Sequence, residues 1–270
     1  MLSKADAACM AETIEMEAIA DMMSAMPAET GKALGADCSP IAGALSISAK
    51  NVPLVTFNRV VGYGIDHRGE AGELPKIAAY MRSHSAPVAQ LQMAPFAMPG
   101  GFELRLVDAG FTRLPANWAK MGRMTDEVPQ VETDLQIEPA GADRAKEFAS
   151  TVLAGFGMPG VFQPWLEALP GRDRWRCYIA RDGKRAVGGA ALYIGEDAGW
   201  LGIAATLVEA RRHGAQGALI ARRIADAASL GKAWVFTETG IQDGPNPSLA
   251  NMYRTGFKCM HERTNWALAA

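Results

Sequence analysis

The segment EARRHGAQGALI, residues 209–220, has the residue types and the spacing of an anion-binding site. Arg211 and Arg212 stand just before Gly214 and Gly217, and apolar side chains then follow at helical spacing. A helix already carries about half a positive charge at its N-terminus, so two arginines are unfavourable there by themselves. Phosphate oxygens would satisfy both the guanidinium groups and the unpaired N–H groups of the first helical turn. We therefore predict a phosphate site in this arginine loop (residues 211–214); the alternative is an exposed turn whose arginines face water.

Two common phosphate-binding motifs do not fit this segment. A nucleoside-triphosphate loop needs Gly-Lys-Ser or Gly-Lys-Thr, which the segment lacks. A dinucleotide site needs Gly-x-Gly-x-x-Gly after a parallel strand, whereas the strands before residue 209 have the pattern of an antiparallel meander. The anion must therefore be bound in another way.

The composition indicates a protein of two domains without a global attraction for nucleic acid or anionic membranes. The 270 residues are 49% hydrophobic, enough for sizeable cores, and 27 Lys and Arg are balanced by 29 Asp and Glu. The four cysteines lack the spacing of a zinc site or a disulfide framework: Cys9, Cys38, Cys177 and Cys259. No apolar run approaches the roughly 18 residues of a membrane span. We expect a cytoplasmic protein, neither secreted nor membrane-spanning, without a bound metal.

The first half of the chain alternates between helix and strand patterns. A helix is predicted over 4–26, with Ser3 as its cap and one apolar stripe: Ile14, Ala18, Ile19, Met22, Met23 and Met26. A loop is predicted around Pro27 and Gly31. The other predicted elements are strands at 41–48 and 53–62, a helix at 74–83, a strand at 88–94, a helix at 101–111 and a strand at 117–124.

The second half has a similar pattern, built around an antiparallel meander. Its predicted elements are helices at 142–155 and 162–168, strands at 175–180, 186–194 and 200–208, a helix after the arginine loop, a strand at 233–239, a helix at 247–255 and a strand at 264–268. Asp182 and Gly183 favour a tight turn between the first two strands. Residues 126–134, which are acidic and polar and contain a proline, are predicted to link the halves.

An internal duplication explains the similarity of the halves. Both contain helix, strand, helix, Gly-Phe and strand in that order, and Gly110 and Phe111 match Gly256 and Phe257. The Asn-Trp-Ala triplets at 117–119 and 265–267 match as well. Chance recurrence of two short motifs is the alternative.

Only the second copy has the character of an anion site. The corresponding segment of the first half, residues 62–77, contains glycines, but Asp66, Glu70 and Glu73 offset the charge of Arg68. A carboxylate-rich loop is a poor binding site for phosphate. We therefore expect the first half to lack a working cofactor site.

Four segments of the second half together resemble the GNAT superfamily of N-acetyltransferases: WLGIAATLV, EARRHGAQGALI, FTETG and NPSLANMYRTGF. The superfamily signature, Arg/Gln-x-x-Gly-x-Gly/Ala, matches residues 211–216, with Gln216 in place of the last small residue. In such enzymes the loop holds the pyrophosphate of acetyl-coenzyme A, and the preceding strand splays from its neighbour and pairs with the pantetheine arm. The resemblance implies that acetyl-CoA is bound by Ala205, Thr206, Leu207, Arg211, Arg212, His213, Gly214, Ala215, Gln216, Gly217, Ala218, Ser248 and Asn251.

The resemblance also implies the fold. We expect an α+β (mixed α/β) protein of two tandem GNAT-like domains, each a twisted, mostly antiparallel sheet flanked by helices. Residues 1–125 would be a degenerate GNAT-like domain, 126–134 the linker and 135–270 the acetyl-CoA-binding domain. The first domain would then serve as a structural partner or as a wall of the acceptor pocket.

Acetyl transfer to an amine needs a neutral nitrogen, a polarised thioester carbonyl and a proton for the leaving thiolate. A lysine-like amine is charged at neutral pH by roughly 3 pH units, which a carboxylate can partly offset. Glu238, at a strand end, is the candidate base, with pairing to arginine or orienting a loop as the alternative. The backbone amide of Leu207 is the candidate for polarising the carbonyl.

The general acid is less well matched to the superfamily. Many of its members use a tyrosine four residues before the glycine of the Gly-Phe pair, but Met252 occupies that position here. Tyr253, the next residue, is the candidate, with a packing role as the alternative. For Ser248 the alternative to cofactor binding is helix capping.

These observations predict an N-acetyltransferase that moves an acetyl group from acetyl-CoA to an amine acceptor by direct attack. The acceptor would be a small molecule or a peptide, and the protein a monomer or a homodimer without nucleic-acid or membrane partners. A non-catalytic acyl-CoA sensor or scaffold protein is the alternative function. A purely structural repeat protein is a third reading.

Overall fold

The computed structural model describes residues 3–65, 69–241 and 244–268. Asp66 and Arg68, which contributed to the charge argument for the first half, lie outside these residues. The helices are α1 (Lys4–Ser24), α2 (Ala28–Leu34), α3 (Leu74–His84), α4 (Phe102–Asp108), α5 (Ala145–Phe156), α6 (Gln163–Glu167), α7 (Ala215–Ser229) and α8 (Pro247–Arg254). The strands are β1 (Ala36–Ile41), β2 (Ala44–Ala49), β3 (Arg59–Val61), β4 (Gln90–Met93), β5 (Phe111–Met124), β6 (Gln136–Ala140), β7 (Trp175–Asp182), β8 (Arg185–Ile194), β9 (Ala198–Trp200), β10 (Ala204–Thr206), β11 (Trp234–Ile241) and β12 (Lys258–Leu268).

The predicted mixed α+β fold is confirmed, and the strands of both halves join in one sheet. The strand order is β1-β2-β3-β4-β12-β5-β11-β9-β8-β7-β6, with β10 paired to β8. Most neighbours are antiparallel; β3 with β4 and β9 with β11 are parallel. The C-terminal strand β12 lies between β4 and β5, two strands of the first half. The sheet therefore interleaves the halves, while the division at residues 125 and 135 stays a prediction.

Helix α1 begins with a capping box and packs on the second half of the chain. The Ser3 side chain accepts from the Asp6 N–H, and the Asp6 side chain accepts from the Ser3 N–H. The indole of Trp165 donates to the carbonyl of Met22 at 2.6 Å, and that of Trp175 to the Asp21 carboxylate at 2.7 Å. The apolar face of α1 belongs to the same buried cluster as α5 and β7. The first helix thus completes the core of the second half.

Several predicted boundaries in the first half were wrong. The predicted loop after residue 26 contains α2, which ends at Gly35 in the left-handed conformation. The strand predicted at 41–48 is divided into β1 and β2 by a turn in which Ala42 and Gly43 both have positive φ. The strand predicted at 53–62 is mostly irregular and retains only β3. Turn conformations at ordinary residues such as Ala42 leave little trace in an apolar pattern.

Two predictions in the second half also need correction. The sequence reading missed β6, the edge strand that pairs with β7. The strand predicted at 200–208 is broken between β9 and β10, where Ile203 has a φ of 37°. This break creates the gap on which the candidate site depends.

Candidate functional site

The sheet opens at the break between β9 and β10. Strand β9 pairs with β11 as far as Trp200, and the N–H of Leu201 still donates to the carbonyl of Phe236 at 2.8 Å. Beyond Ile203 the chain pairs with β8 alone, so β10 and β11 diverge. A gap between two neighbouring strands leaves main-chain groups on one strand edge available to a ligand.

The register of β10 determines which of its main-chain groups face the gap. The N–H of Leu207 donates to the carbonyl of Val187 on β8 at 2.9 Å, which keeps it inside the sheet. The prediction that this amide polarises a bound thioester was therefore wrong. In an antiparallel pair, alternate residues direct their main-chain groups to the same side. The groups of Ala204 and Thr206 consequently face away from β8, towards the gap.

A buried arginine on α7 holds the break in place. The Nη1 atom of Arg223 donates to the carbonyls of Gly202 at 3.2 Å and Ala191 at 3.1 Å, so it ties the break to β8. Its Nε atom donates to the carbonyl of Leu219 at 3.0 Å. Three carbonyl acceptors on one guanidinium fix both the helix and the strand break.

Helix α5 supports β10 from the other face of the sheet. A Cβ added to Gly155 would lie 2.8 Å from the Cβ of Ala205 and 3.1 Å from the Thr206 nitrogen. We expect Gly155→Ala to lower the free energy of unfolding by about 1–3 kcal/mol through overpacking, because the added Cβ pushes β10 into the gap. Gly160→Ala is the matched control, since nothing lies within 4 Å of its added Cβ. Urea denaturation measures the effect, and a Gly155→Ala protein as stable as the wild type would contradict this packing.

The arginine loop leads directly into the N-terminus of α7, at a cleft that Glu132 also lines. Gly214 is the N-cap in the left-handed conformation, with a φ of 81°, and no side chain caps the first turn. Arg211 and Arg212 are exposed, and neither forms an ion pair among the residues that the structure describes. The uncapped first turn of α7 and the guanidinium of Arg212 are thus available to an anion, whereas Arg211 donates from Nε to the carbonyl of Thr206 at 3.5 Å.

A cleft of about 990 Å³ connects the arginine loop with the gap between β10 and β11. Ten of the predicted cofactor residues line it: Ala205, Thr206, Arg211, Arg212, Gly214, Ala215, Gln216, Gly217, Ser248 and Asn251. The cleft lining does not include Leu207, the exposed His213 or Ala218, which is packed in the second turn of α7. The structure therefore brings most of the predicted set together.

The predicted linker packs directly on the arginine loop. The hydroxyl of Thr133 donates to the carbonyl of His213 at 2.7 Å. A Cβ on Gly214 would lie 2.9 Å from Thr133, and one on Gly217 would lie 3.1 Å from Val131. Gly214 is thus required both for close approach to Thr133 and for its left-handed conformation, whereas a Cβ on the helical Gly217 would crowd Val131.

The unusual Gln216 forms a bond across the cleft. Its side-chain amide donates to the Thr206 hydroxyl at 2.8 Å, joining the first turn of α7 to the end of β10. This bond keeps the longer side chain beside the strand, while the backbone N–H of Gln216 belongs to the uncapped turn.

Helix α8 forms the opposite wall. Its N-cap is Asn246, whose side chain accepts from the Leu249 N–H at 3.0 Å, so Ser248 is not the cap and instead lines the cleft. Met252 is buried and lines the cleft, whereas Tyr253 is 53% exposed and lies outside its lining. The structure gives the general-acid prediction for Tyr253 no geometric support.

Glu238 points to the opposite face of the sheet from the cleft-lining Thr237 and belongs to a buried ion cluster. The Oε2 atom of Glu238 accepts from Lys120 at 3.2 Å and from the Trp200 indole at 2.9 Å. The ion cluster consists of Glu12, Glu15, Arg59, Lys120, Glu238, His261 and Arg263. Because Oε2 of Glu238 faces the Lys120 ammonium at 3.2 Å and Oε1 lies 4.0 Å from Arg59, this geometry favours the ion-pair alternative for Glu238.

The carboxylates of α1 are held charged within this cluster. Burial alone raises the pKa of Glu12, but the charge of Arg263 and hydrogen bonds from His261 and Arg263 outweigh it and lower the pKa to about 2. Burial likewise opposes ionisation of Glu15, yet Arg263, Lys120 and Arg59 hold its pKa well below the usual value. The cluster thus joins α1 to strands from both halves.

We expect the protein to lose stability in acid because of these carboxylates. A carboxyl whose pKa is lowered on folding stabilises the folded state above its unfolded pKa, here 4.5, and this contribution is lost as the pH falls towards 2. The contribution of Glu12 is about 3 kcal/mol. Urea denaturation at a series of pH values should show that the free energy of unfolding declines from pH 5 downwards, and that it declines less steeply in Glu12→Gln than in the wild type. An equally steep decline in both proteins would contradict this role of Glu12.

Several solved structures with the same fold are GCN5-related N-acetyltransferases. One such enzyme from Kribbella flavida is similar over 93% of this chain and 95% of its own, with a TM-score of 0.62 and 14% sequence identity. Another, from Sphaerobacter thermophilus, is similar over 83% of this chain and 80% of its own, with a TM-score of 0.60 and 15% sequence identity. A tandem GNAT protein from the clavulanic acid biosynthesis pathway is similar over 78% of this chain and 74% of its own, with a TM-score of 0.54 and 16% sequence identity. The chain therefore has the tandem GNAT fold.

The sequence itself matches no family model and no curated protein. Within the described residues, no helix combines the length and the apolar character needed to cross a bilayer. The structural likeness thus carries the fold, and the activity has to be argued from the site.

Sequence reasoning missed several residues of the site. Arg223, Thr237, Ala204, Phe156 and the segment 130–132 all line the cleft. A signal was present for Arg223, which stands between Ile220 and Ile224 on the apolar face of a helix, where a charge is unexpected. The linker residues carry no comparable signal, because their position depends on the path of the chain.

Proposed function

We propose that the second half of the chain binds acetyl-CoA and transfers its acetyl group to an amine. The observation that carries this proposal is the uncapped N-terminus of α7, which is flanked by two arginines without an ion pair among the described residues and is open to a cleft that continues along the free edge of β10. Such a cleft suits a ligand with phosphates at one end and an amide-bearing arm at the other. The fold supports the same class of ligand.

The residues present fit acetyl-CoA. The N–H groups at Ala215 and Gln216, with Arg211 and Arg212, would hold the pyrophosphate, while the main-chain groups of Ala204 and Thr206 would bond the arm. Ala204 replaces Leu207 as the amide that can polarise a carbonyl, because it faces the gap. Bound there, acetyl-CoA supplies an activated acyl group, and the apolar walls of the cleft exclude water from it.

The amine acceptor would reach the acyl group from the face that carries α5. There Phe156, half exposed, stands at the rim of the cleft. Since Glu238 is occupied by Lys120 and Trp200, we assign proton removal from the amine to water.

The first half would not bind a second cofactor. A Cβ on Gly62 would lie 1.9 Å from the sulfur of Met16, and one on Gly69 would lie 2.6 Å from the ring of Tyr63. The protein's own side chains thus fill the region around these glycines. This supports a structural role for the first half.

A non-catalytic acyl-CoA sensor is the second candidate function. The observation that favours it is that no tyrosine stands among the described residues of the cleft wall, where Met252 is buried and Tyr253 faces solvent. Both functions share the cofactor site, so binding alone does not separate them.

Calorimetric titration with coenzyme A and a thiol-release assay with a panel of amines test the proposal. We expect one equivalent of coenzyme A to bind and thiol release to depend on both acetyl-CoA and an amine. Binding without amine-dependent release would favour the sensor. No binding of coenzyme A would overturn both functions.

A further inference from the structure

Arg223 is a buried cation whose charge no carboxylate balances within the described residues. Its side chain is 2% exposed and donates from Nε and Nη1 to three main-chain carbonyls. Nη2 has no acceptor among the described residues. Burial lowers the pKa of Arg223 to about 10, which still leaves it charged at neutral pH. An unbalanced charge in the interior is costly, and a bound anion would reduce that cost.

The charge lies at the inner end of the cleft. Arg223 lines the cleft and reaches back to Gly202, which precedes β10, whereas the arginine loop follows β10. Arg223 stands nine residues after Gly214, which corresponds to a rise of about 13 Å along α7. If the arginine loop holds the phosphates, the thioester end of the ligand therefore lies towards Arg223.

Acyl transfer creates a negative charge at that end. The amine nitrogen forms a bond to the carbonyl carbon, the carbon–sulfur bond breaks with its electron pair left on sulfur, and the amine proton passes to water. A tyrosine would commonly protonate the sulfur, but Met252 lines this wall and Tyr253 does not. The sulfur needs another source of stabilisation.

We propose that Arg223 binds the thiolate sulfur of coenzyme A and stabilises its charge as a fixed cation, without donating a proton. This inference rests on the proposed acetyl-CoA site. One free nitrogen suits a single acceptor atom, whereas a carboxylate on the acyl chain would favour a two-pronged bond that the engaged Nη1 and Nε cannot supply. The cleft lining also includes the apolar side chains of Leu201, Ile220 and Phe257, which would strengthen the interaction by excluding water.

The thiol of bound coenzyme A, titrated by the ultraviolet absorbance of its thiolate, tests the proposal without turnover. We expect the pH midpoint of this thiol titration to lie at least about one pH unit lower in the wild type than in Arg223→Gln, since a nearby opposite charge favours ionisation. Glutamine can still donate to Gly202, which helps the variant to fold, and Arg223→Lys should stay nearer the wild type. Arg222→Gln is the matched control, because Arg222 pairs with Asp226 outside the cleft lining.

A leaving-group comparison provides a second readout. Arg223→Gln should slow transfer from S-acetylpantetheine at least about tenfold more than transfer from phenyl thioacetate, because an aryl thiolate needs less stabilisation; one pH unit corresponds to a factor of ten. An equal loss of rate with both thioesters would overturn the role of Arg223 while leaving the cofactor site intact. The same conclusion would follow if the thiol of bound coenzyme A had the same pH midpoint in the wild type and in Arg223→Gln. A preference for acyl groups ending in a carboxylate, lost in Arg223→Gln, would also overturn it. Failure of the wild type to bind coenzyme A would overturn the proposed function as well.

Discussion

Replacing Arg263 with methionine is expected to lower the free energy of unfolding by about 3–5 kcal/mol, because the change leaves two buried carboxylates without their main partner. Arg263 donates to both oxygens of Glu12, at 2.6 and 2.8 Å, and also bonds Glu15. None of the three side chains is more than 1% exposed. Urea denaturation followed by circular dichroism measures the loss.

The control for this variant is Arg172→Met. Arg172 pairs with Asp21 at 3.1 Å on the surface, and both side chains are partly exposed. Solvent screening limits such pairs to about 0–1 kcal/mol, so the control should unfold close to the wild type. The double variant Glu12→Gln with Arg263→Met should recover part of the lost stability, since it removes one of the stranded charges. Equal urea midpoints of unfolding for Arg263→Met and Arg172→Met would refute the structural importance of the ion cluster.

The pairing within the ion cluster could not be predicted from the sequence. Glu12 and Glu15 face the apolar side of α1, and Arg263 meets them from a strand some 250 residues later. Helical periodicity marks the two acidic residues as inconsistent with a buried stripe, but it does not identify their partners. The partners follow from the insertion of β12 between β4 and β5, which no local pattern encodes.

The arginine loop was predictable for the opposite reason. Its chemistry depends on consecutive residues, since the positive φ of Gly214 and the uncapped turn of α7 arise within one short segment. The main elements followed from periodicity in the same way: α1 and α3 were predicted correctly to within a few residues, and a helix follows the arginine loop as predicted. The break at Ile203 was missed because a positive φ at a β-branched residue contradicts its intrinsic preference. That break requires the surrounding packing, which includes Arg223 and Gly155.

Removing the charges of the arginine loop should separate phosphate recognition from the rest of the cleft. We expect Arg211→Ala combined with Arg212→Ala to weaken coenzyme A binding about 100-fold at low salt, since each charged hydrogen bond contributes about 1.5–3 kcal/mol before screening. Pantetheine lacks the pyrophosphate, so its affinity should not change. Lys32→Ala combined with Lys76→Ala, which removes two exposed positive charges from α2 and α3, controls for net charge. Calorimetric titrations at two salt concentrations measure these effects.

A proportional loss of pantetheine binding would show instead that the loop supports the shape of the cleft, because β10 and α7 are joined through Thr206 and Gln216 beside the two arginines.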